Sequence, residues 1–319
     1  MIDFLPTLYN KPVGLKIFTV LLLIAVSLLF SVILGIIIAI PFLDLILLLR
    51  LGNLNDFNDH ETVAILKYFQ VVNQLGIFII PAIAYAYLEN RKPINYLRAG
   101  KKPDLLFLLL SILLIVVSIP AINWMVTLNE AMRLPEILKP IEDWMRDSER
   151  DASLLTEAFL NVNTISGLLV NLFIIALVAA LGEELLFRGV ILRILIEWTK
   201  NIHSAVIFSA ILFSALHLQF FGFFPRMVLG ILFGYVYVWS GSIWIPIILH
   251  LLFNGITVIG AYLYQLGKIQ TDVETLGSTS NDIVIISSFA LIPAFLYIIF
   301  RFRKRNNSLD YNSETGYSE

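Results

Sequence analysis

Long apolar runs separated by short polar segments dominate this chain. A helix needs about 20 apolar residues to cross a bilayer, and the runs between the polar segments approach that length. We therefore predict an all-α fold, a polytopic membrane helical bundle of about eight transmembrane helices. The predicted spans are 16–40, 69–88, 105–127, 167–190, 203–220, 225–240, 243–263 and 282–300.

One further segment is amphipathic but too polar to span. Between Leu134 and Ser148 the apolar side chains fall on one stripe of a helix, which is typical of a helix lying at the membrane interface. Two interpretations remain open, a connector packed on the bundle and a lid over a site. The stripe consists of Leu134, Ile137, Leu138, Ile141, Trp144 and Met145.

Composition supports the membrane assignment. The 319 residues are 58% hydrophobic and 14% charged, whereas soluble domains are about 45–50% apolar and 25% charged. The chain has no cysteine, which excludes disulfides, thiolate catalysis and cysteine-based metal sites. No basic surface interleaved with aromatic residues indicates a nucleic-acid partner, so we expect membrane lipid and membrane-associated protein or peptide as partners.

Lysine and arginine predict the orientation, because cytoplasmic loops carry an excess of both. With eight spans, all of the basic clusters fall on one side, and acidic loops fall on the other. We therefore expect an integral, multi-pass protein of the bacterial plasma membrane with both termini cytoplasmic. The basic clusters lie at Lys11 and Lys16, within 91–102, at Lys200 and within 301–305.

Three charged residues interrupt the fourth predicted span. Glu183, Glu184 and Arg188 lie inside an apolar run, although each charge at mid-membrane costs about 2.5–3.5 kcal/mol on insertion scales. Arg188 follows Glu184 by four residues, so the two share a helix face and are predicted to pair. Glu183 points about 100° away. The set is either a structural ion pair with a glutamate at the water line, or a pair that holds a catalytic carboxylate.

Two histidines lie in apolar runs on later spans. His217 ends the run Phe213-Ser-Ala-Leu-His217, and His250 precedes Asn254 by one helical turn on the next-but-one span. If the turn between the fourth and fifth spans is centred at Lys200, Glu183 and His217 lie equally far from it along the two helices. We therefore predict that Glu183, His217, His250 and Asn254 converge.

These residue types permit two schemes of hydrolysis. A desolvated Glu183 can act as general base on water, with His217 orienting that water and with His250 and Asn254 donating hydrogen bonds to the oxyanion. Alternatively, Glu183, His217 and His250 can hold a divalent metal such as zinc, with an open fourth position. The residues leave the choice between a metal cofactor and a metal-free mechanism open.

At these positions the chain resembles the CPBP family, which comprises CAAX prenyl proteases and bacteriocin-processing or immunity proteins and is also named Abi. That family carries E-E-x-x-x-R, F-x-x-x-H and H-x-x-x-N motifs on successive helices, and here they read Glu183-Glu184…Arg188, Phe213…His217 and His250…Asn254. The resemblance implies an eight-helix intramembrane endopeptidase, of glutamate or metalloprotease type, whose first glutamate is catalytic. Glu184, Arg188 and Phe213 would support the site, and the substrates would be membrane-associated proteins or peptides, either lipidated or unmodified.

The resemblance also suggests a division of the chain. We expect three spans and the interfacial helix in 1–160, a CPBP-type catalytic core in 161–265, the last span in 266–305 and a disordered tail in 306–319.

Two other functions remain open, a non-catalytic scaffold or immunity protein and a proton-coupled transporter, because buried ionisable groups also form proton relays. Gly230 and Gly234 form a G-x-x-x-G motif that predicts close helix packing within the chain, or a dimer contact.

Overall fold

The computed structural model describes residues 7–42, 57, 59–270 and 277–305, and within these ranges it contains helices and no β-strand. The all-α prediction is confirmed. Short helical pieces lie at Ile40–Phe42, Pro93–Tyr96 and Glu136–Leu138. The longer helices are α1 (Val13–Ala39), α2 (His60–Asn90), α3 (Leu105–Glu130), α4 (Lys139–Leu160), α5 (Ile165–Thr199), α6 (Ile202–Ala215), α7 (Phe223–Ser240), α8 (Trp244–Gln265) and α9 (Asp282–Arg305).

Among the described residues, seven helices are long and apolar enough to cross a membrane: α1, α2, α3, α5, α7, α8 and α9. The chain is therefore an integral membrane protein built as a polytopic helical bundle. The remaining predicted span, 203–220, is α6, which has 14 residues and ends at Ala215. It ends early because the chain turns there, with Leu218 at φ 52°.

Polar residues begin several of these helices, as expected for groups that satisfy the first backbone N–H donors. The Asp104 carboxylate accepts from the N–H of Phe107 at 2.8 Å, and the Asn201 amide oxygen accepts from that of Ser204 at 3.0 Å. Lys200, immediately before Asn201, is left-handed at φ 56°. The predicted turn at Lys200 between α5 and α6 is therefore confirmed.

The chain forms two compact units that interleave along the sequence. The first comprises the described residues of Met1–Leu97, Ser153–Val190 and Leu251–Ile269, and the second those of Arg98–Ala152, Ile191–His250 and Gln270–Glu319. The sequential division into four parts stays a prediction, and the predicted disordered tail, 306–319, lies outside the described residues.

In the first unit, α2 packs against both α1 and the amino-terminal part of α5. The side-chain hydroxyl of Ser27 on α1 donates to the carbonyl of Gly76 on α2, and Lys16 pairs with Glu89 at 2.8 Å. Polar side chains that would be costly in lipid are thus satisfied between helices. This packing fixes the face of α2 that meets α5.

In the second unit, α6 packs closely on α7, and α3 packs on both α7 and α9. A Cβ atom at Gly230 would lie 3.0 Å from the Cβ of Ala210, and one at Gly234 would lie 2.9 Å from Cγ1 of Val206. Both glycines therefore allow α7 to approach α6. The prediction that the G-x-x-x-G face packs within the chain is confirmed.

The predicted amphipathic segment forms a short 3₁₀ turn followed by α4, which runs further than expected, to Leu160. Within the second unit, the Trp144 ring lies 5.0 Å from that of Phe220, and the Arg146 guanidinium lies 4.7 Å from the centre of the Phe221 ring. Ile137, by contrast, is 87% exposed. One edge of α4 therefore covers the turn after α6, whereas part of the predicted apolar stripe is exposed.

Candidate active site

The acidic pair lies on α5 in an α-helical segment, Ala179–Leu186, between two π-helical segments, Leu172–Val178 and Phe187–Ile191. The Arg188 guanidinium donates to Oε1 of Glu184 at 2.8 Å, and the two side chains are 1% and 0% exposed. The predicted ion pair is confirmed. Glu183 precedes Glu184 by one residue and is therefore rotated away from it on the helix, so its side chain has different neighbours.

Glu183 is buried, and an amide from another helix contacts it. Nε2 of Gln74 donates to Oε1 of Glu183 at 3.4 Å. Gly182 lets α2 come this close, because a Cβ there would lie 3.0 Å from the Cβ of Phe78 and 3.1 Å from Oε1 of Gln74. Gln74 was not predicted from the sequence as a site residue. The one feature that could have indicated it is a polar side chain inside an apolar span, four residues after Gln70.

Asn254 also belongs to the first unit, on the part of α8 that follows His250. Its Nδ2 donates to the carbonyl oxygen of Ile175 at 3.0 Å. Ile175 lies in the π-helical segment Leu172–Val178, where the wider turn disturbs the regular i→i−4 pairing of carbonyls. The amide has two N–H donors, so this bond anchors the side chain while a second donor remains for chemistry.

The second unit holds both histidines and the phenylalanine of the middle motif. The Phe213 ring centre lies 5.0 Å from that of His217 and 6.2 Å from that of His250, with edge-to-face geometry in both cases. A second ring, that of Phe233, lies 5.5 Å from His250. The Phe213 ring thus contacts both imidazoles.

The structure changes the predicted position of His217, which was placed inside a span. It lies two residues beyond the end of α6, in the turn that ends at Gly222, so the helical rise assumed between Lys200 and His217 does not extend to it. Nδ1 of His217 lies 2.9 Å from the carbonyl oxygen of Phe213. A carbonyl only accepts, so Nδ1 carries a proton, and Nε2 of the neutral ring is an acceptor.

The four predicted site residues therefore divide between the units. Glu183 and Asn254 lie in the first, and His217 and His250 in the second. Their convergence on one water stays a prediction. The metal scheme requires three ligands, and among the described residues no group of three or more histidine or acidic side chains could hold a metal ion. The metalloprotease class is therefore not supported.

A cavity of about 530 Å³ lies within the second unit, a volume typical of sites that bind small ligands or side chains. The end of α3, one edge of α4 and the residues around the turn after α6 form its walls. The lining is mainly apolar and aromatic, and includes Met132, Trp144, Met145, Leu218, Phe221 and Phe224. Ala215 and Leu218, on either side of His217, both line it. This cavity was not predicted from the sequence.

One polar side chain shapes the wall of this cavity. The Asn129 amide donates to the carbonyl of Phe221 at 2.6 Å and to that of Phe220 at 3.1 Å. The backbone N–H of Phe221 in turn donates to the Glu149 carboxylate at 3.3 Å, and burial raises the pKa of that carboxyl. The turn after His217 is therefore held from both α3 and α4.

Comparison with known proteins identifies the region that contains all three motifs. Residues 165–256 match a family described as type II CAAX prenyl endopeptidase Rce1-like. Over 104 residues the chain is 30% identical to a Bacillus subtilis (strain 168) protein named "Putative membrane peptidase YdiL". The alignment covers 33% of this chain and 41% of the relative, so the chain spans less than half of that relative's length. No solved structure matches the chain.

The match begins at Ile165, the first residue of α5, and ends at Ile256 in α8. It therefore contains the acidic pair, both histidines and Asn254. These findings confirm the resemblance drawn from the three motifs: residues 165–256 of this integral membrane protein match the Rce1-like family of type II CAAX prenyl endopeptidases.

Proposed function

We propose that this chain is an intramembrane endopeptidase that hydrolyses peptide bonds of membrane-associated proteins or peptides with a water activated by Glu183. The observation that carries the proposal is the environment of Glu183. It is a buried carboxylate, 7% exposed, on a helix of the family-matching segment, and a neutral amide donates to it. A buried carboxylate that is held by a neutral amide donor is suited to act as a general base.

In the proposed reaction, Glu183 accepts a proton from water while the water oxygen attacks the carbonyl carbon of the scissile bond. The carbonyl oxygen becomes an oxyanion, to which His250 and Asn254 donate hydrogen bonds. The carbon–nitrogen bond then breaks, and the proton held by Glu183 passes to the leaving amine. His217 orients the water through Nε2. No step uses a metal.

The cavity of the second unit suggests the kind of substrate. Its aromatic and apolar walls suit an apolar side chain or a hydrocarbon group next to the residue that orients the water, and a hydrolase acting on membrane-associated chains meets such groups. We extend the proposal to lipidated substrates on this ground and on the family's description. We also propose that the protein lies in a bacterial plasma membrane with both termini cytoplasmic, which requires α6 to cross the membrane in addition to the seven longer helices.

The proposal is tested with the full chain reconstituted in phosphatidylethanolamine–phosphatidylglycerol vesicles. Two quenched-fluorescence peptides of one sequence serve as probes, one with a farnesylated cysteine near its C-terminus and one with unmodified cysteine. We expect cleavage of at least one probe, in the presence of a chelator as well. Glu183→Gln and His217→Ala should abolish cleavage, while Asn254→Ala should leave a residual rate lowered about 10²–10³-fold.

Glu197→Gln is the matched control, because it makes the same chemical change on α5 outside the motifs and should leave cleavage unchanged. Mass spectrometry of membrane peptides from wild-type and Glu183→Gln cells extends the search to natural substrates. If the wild type cleaves neither probe and the two peptide profiles agree, the scaffold or immunity function replaces the peptidase. Proton-coupled uptake into the vesicles, lost in Glu183→Gln, would instead identify a transporter.

A further inference from the structure

Gln74 is the buried polar residue of α2 that meets the proposed base. It is 4% exposed and comes from a helix outside the family-matching segment 165–256. Its Nε2 lies 3.4 Å from Oε1 of Glu183, a long hydrogen bond of the kind that tightens when a catalytic complex forms. The contact depends on Gly182, because a side chain there would displace the amide.

The other end of the amide has no protein partner. Oε1 of Gln74 is buried and accepts no hydrogen bond from any described residue. A buried carbonyl oxygen without a donor costs free energy, and in a native protein such an atom calls for an explanation, such as a bound water or a functional role. The carbonyl belongs to the same amide that contacts Glu183, so a water bound to it would lie next to that carboxylate.

The backbone around Gln74 is also unusual. A π-helical segment, Leu75–Ile79, begins at the next residue, and it is this segment that packs on the Ala179–Leu186 turn carrying Glu183. π-Helical turns are rare and occur frequently at functional sites, where the added residue changes the direction of neighbouring side chains. The π-helical segment of α2 therefore lies where α2 packs on the residues that carry Glu183.

We propose that Gln74 positions both the general base and its water. This inference rests on the proposed peptidase function. The amide N–H holds the carboxylate of Glu183, and the amide carbonyl accepts a hydrogen bond from the water that Glu183 deprotonates. Only a neutral amide does both at once, because it carries a donor and an acceptor. A lysine at this position would offer Glu183 a counter-ion, and a glutamate would repel it.

The test compares Gln74→Met, Gln74→Asn and Gln70→Met in the full chain, in the vesicles and with the farnesylated and unmodified peptides described above. Methionine keeps the shape of glutamine without its hydrogen bonds, and asparagine keeps the amide but is one methylene too short to reach Glu183. Gln70, half-buried one turn earlier on α2, is the matched control. We expect kcat to fall about 10- to 100-fold in both Gln74 variants, with KM unchanged and with wild-type kinetics for Gln70→Met.

Thermal unfolding separates this role from a structural one. Gln74→Met removes one long hydrogen bond and a carbonyl that no described residue satisfies. Its Tm should therefore stay close to that of the wild type, whereas loss of a structural residue would lower it. The Tm changes of Gln74→Met and Glu183→Gln should also be non-additive in the double variant, a measurement independent of cleavage.

Two results overturn the inference while the proposed function stands. One is a Gln74→Met protein that cleaves at the wild-type kcat, and the other is a loss of kcat that matches the loss of folded protein. A wild type that cleaves neither peptide refutes the proposed function itself, and this inference with it. Gln74→Asn provides the same kinetic test if the methionine variant does not fold.

Discussion

The buried ion pair of α5 gives a prediction whose size follows from the structure. Glu184 and Arg188 are 0% and 1% exposed and 2.8 Å apart, so removal of one charge leaves the other in a medium where its solvation is poor. Loss of one partner of such a pair costs about 3–5 kcal/mol. We therefore expect Arg188→Met to be strongly destabilised.

A chain of this length loses about 2 °C of Tm per kcal/mol, so the expected decrease for Arg188→Met is roughly 6–10 °C. The double variant Glu184→Gln/Arg188→Met should recover most of it, because replacement of both members of a buried pair is often neutral. Thermal unfolding in detergent, together with the yield of monodisperse protein, measures both effects.

The exposed pair on α4 is the matched control. Lys139 and Asp143 have the same i,i+4 spacing at 3.0 Å, but their side chains are 66% and 54% exposed. Lys139→Met should therefore change stability by about 0.5 kcal/mol or less. If Arg188→Met keeps the wild-type Tm but loses cleavage, the reasoning from burial is refuted, and Arg188 acts on the substrate or in the chemistry.

Three further predictions concern packing, pH and orientation. Gly230→Ala should destabilise the second unit by about 1–3 kcal/mol, because the added Cβ would lie 3.2 Å from the Cα of Ala210; a wild-type Tm would show that α6 and α7 can separate freely. Burial raises the pKa of Glu149 above its ordinary 4.5, so the folded state holds the proton more tightly. As pH rises from 4.5 through that raised pKa, the Tm of the wild type should therefore fall relative to the Tm of Glu149→Gln. If the two proteins show the same dependence of Tm on pH, this prediction is wrong. Reporters fused after Lys102 and after Arg305 should both indicate the cytoplasm, and opposite sides would mean an odd number of spans between them.

Helical periodicity and apolar length predicted most of the fold because both are local properties of the sequence. The spacing of Glu184 and Arg188 required only the geometry of one helix, and the structure contains the pair. The end of α6 at Ala215 was harder to predict, since four of the six residues from Leu216 to Phe221 are apolar. A run of apolar letters does not distinguish a continued helix from a turn with Leu218 in the left-handed region.

Two features that depend on contacts between distant segments were not predicted. Gln74 meets Glu183 across 109 positions of sequence, and no motif links them. The cavity of the second unit likewise combines the end of α3, α4 and the turn after α6, which share no common pattern. The convergence of Glu183, His217, His250 and Asn254 remains a prediction that the experiments above address.

The shortness of α6 has a consequence for how water is supplied. Its 14 residues rise about 21 Å, which is about 9 Å less than the hydrocarbon thickness of a typical bilayer. A bilayer accommodates such hydrophobic mismatch by thinning, or polar groups near the helix end remain hydrated. Either response brings water toward the turn that holds His217. For the proposed hydrolysis, the short helix would thus provide a route by which water enters the membrane.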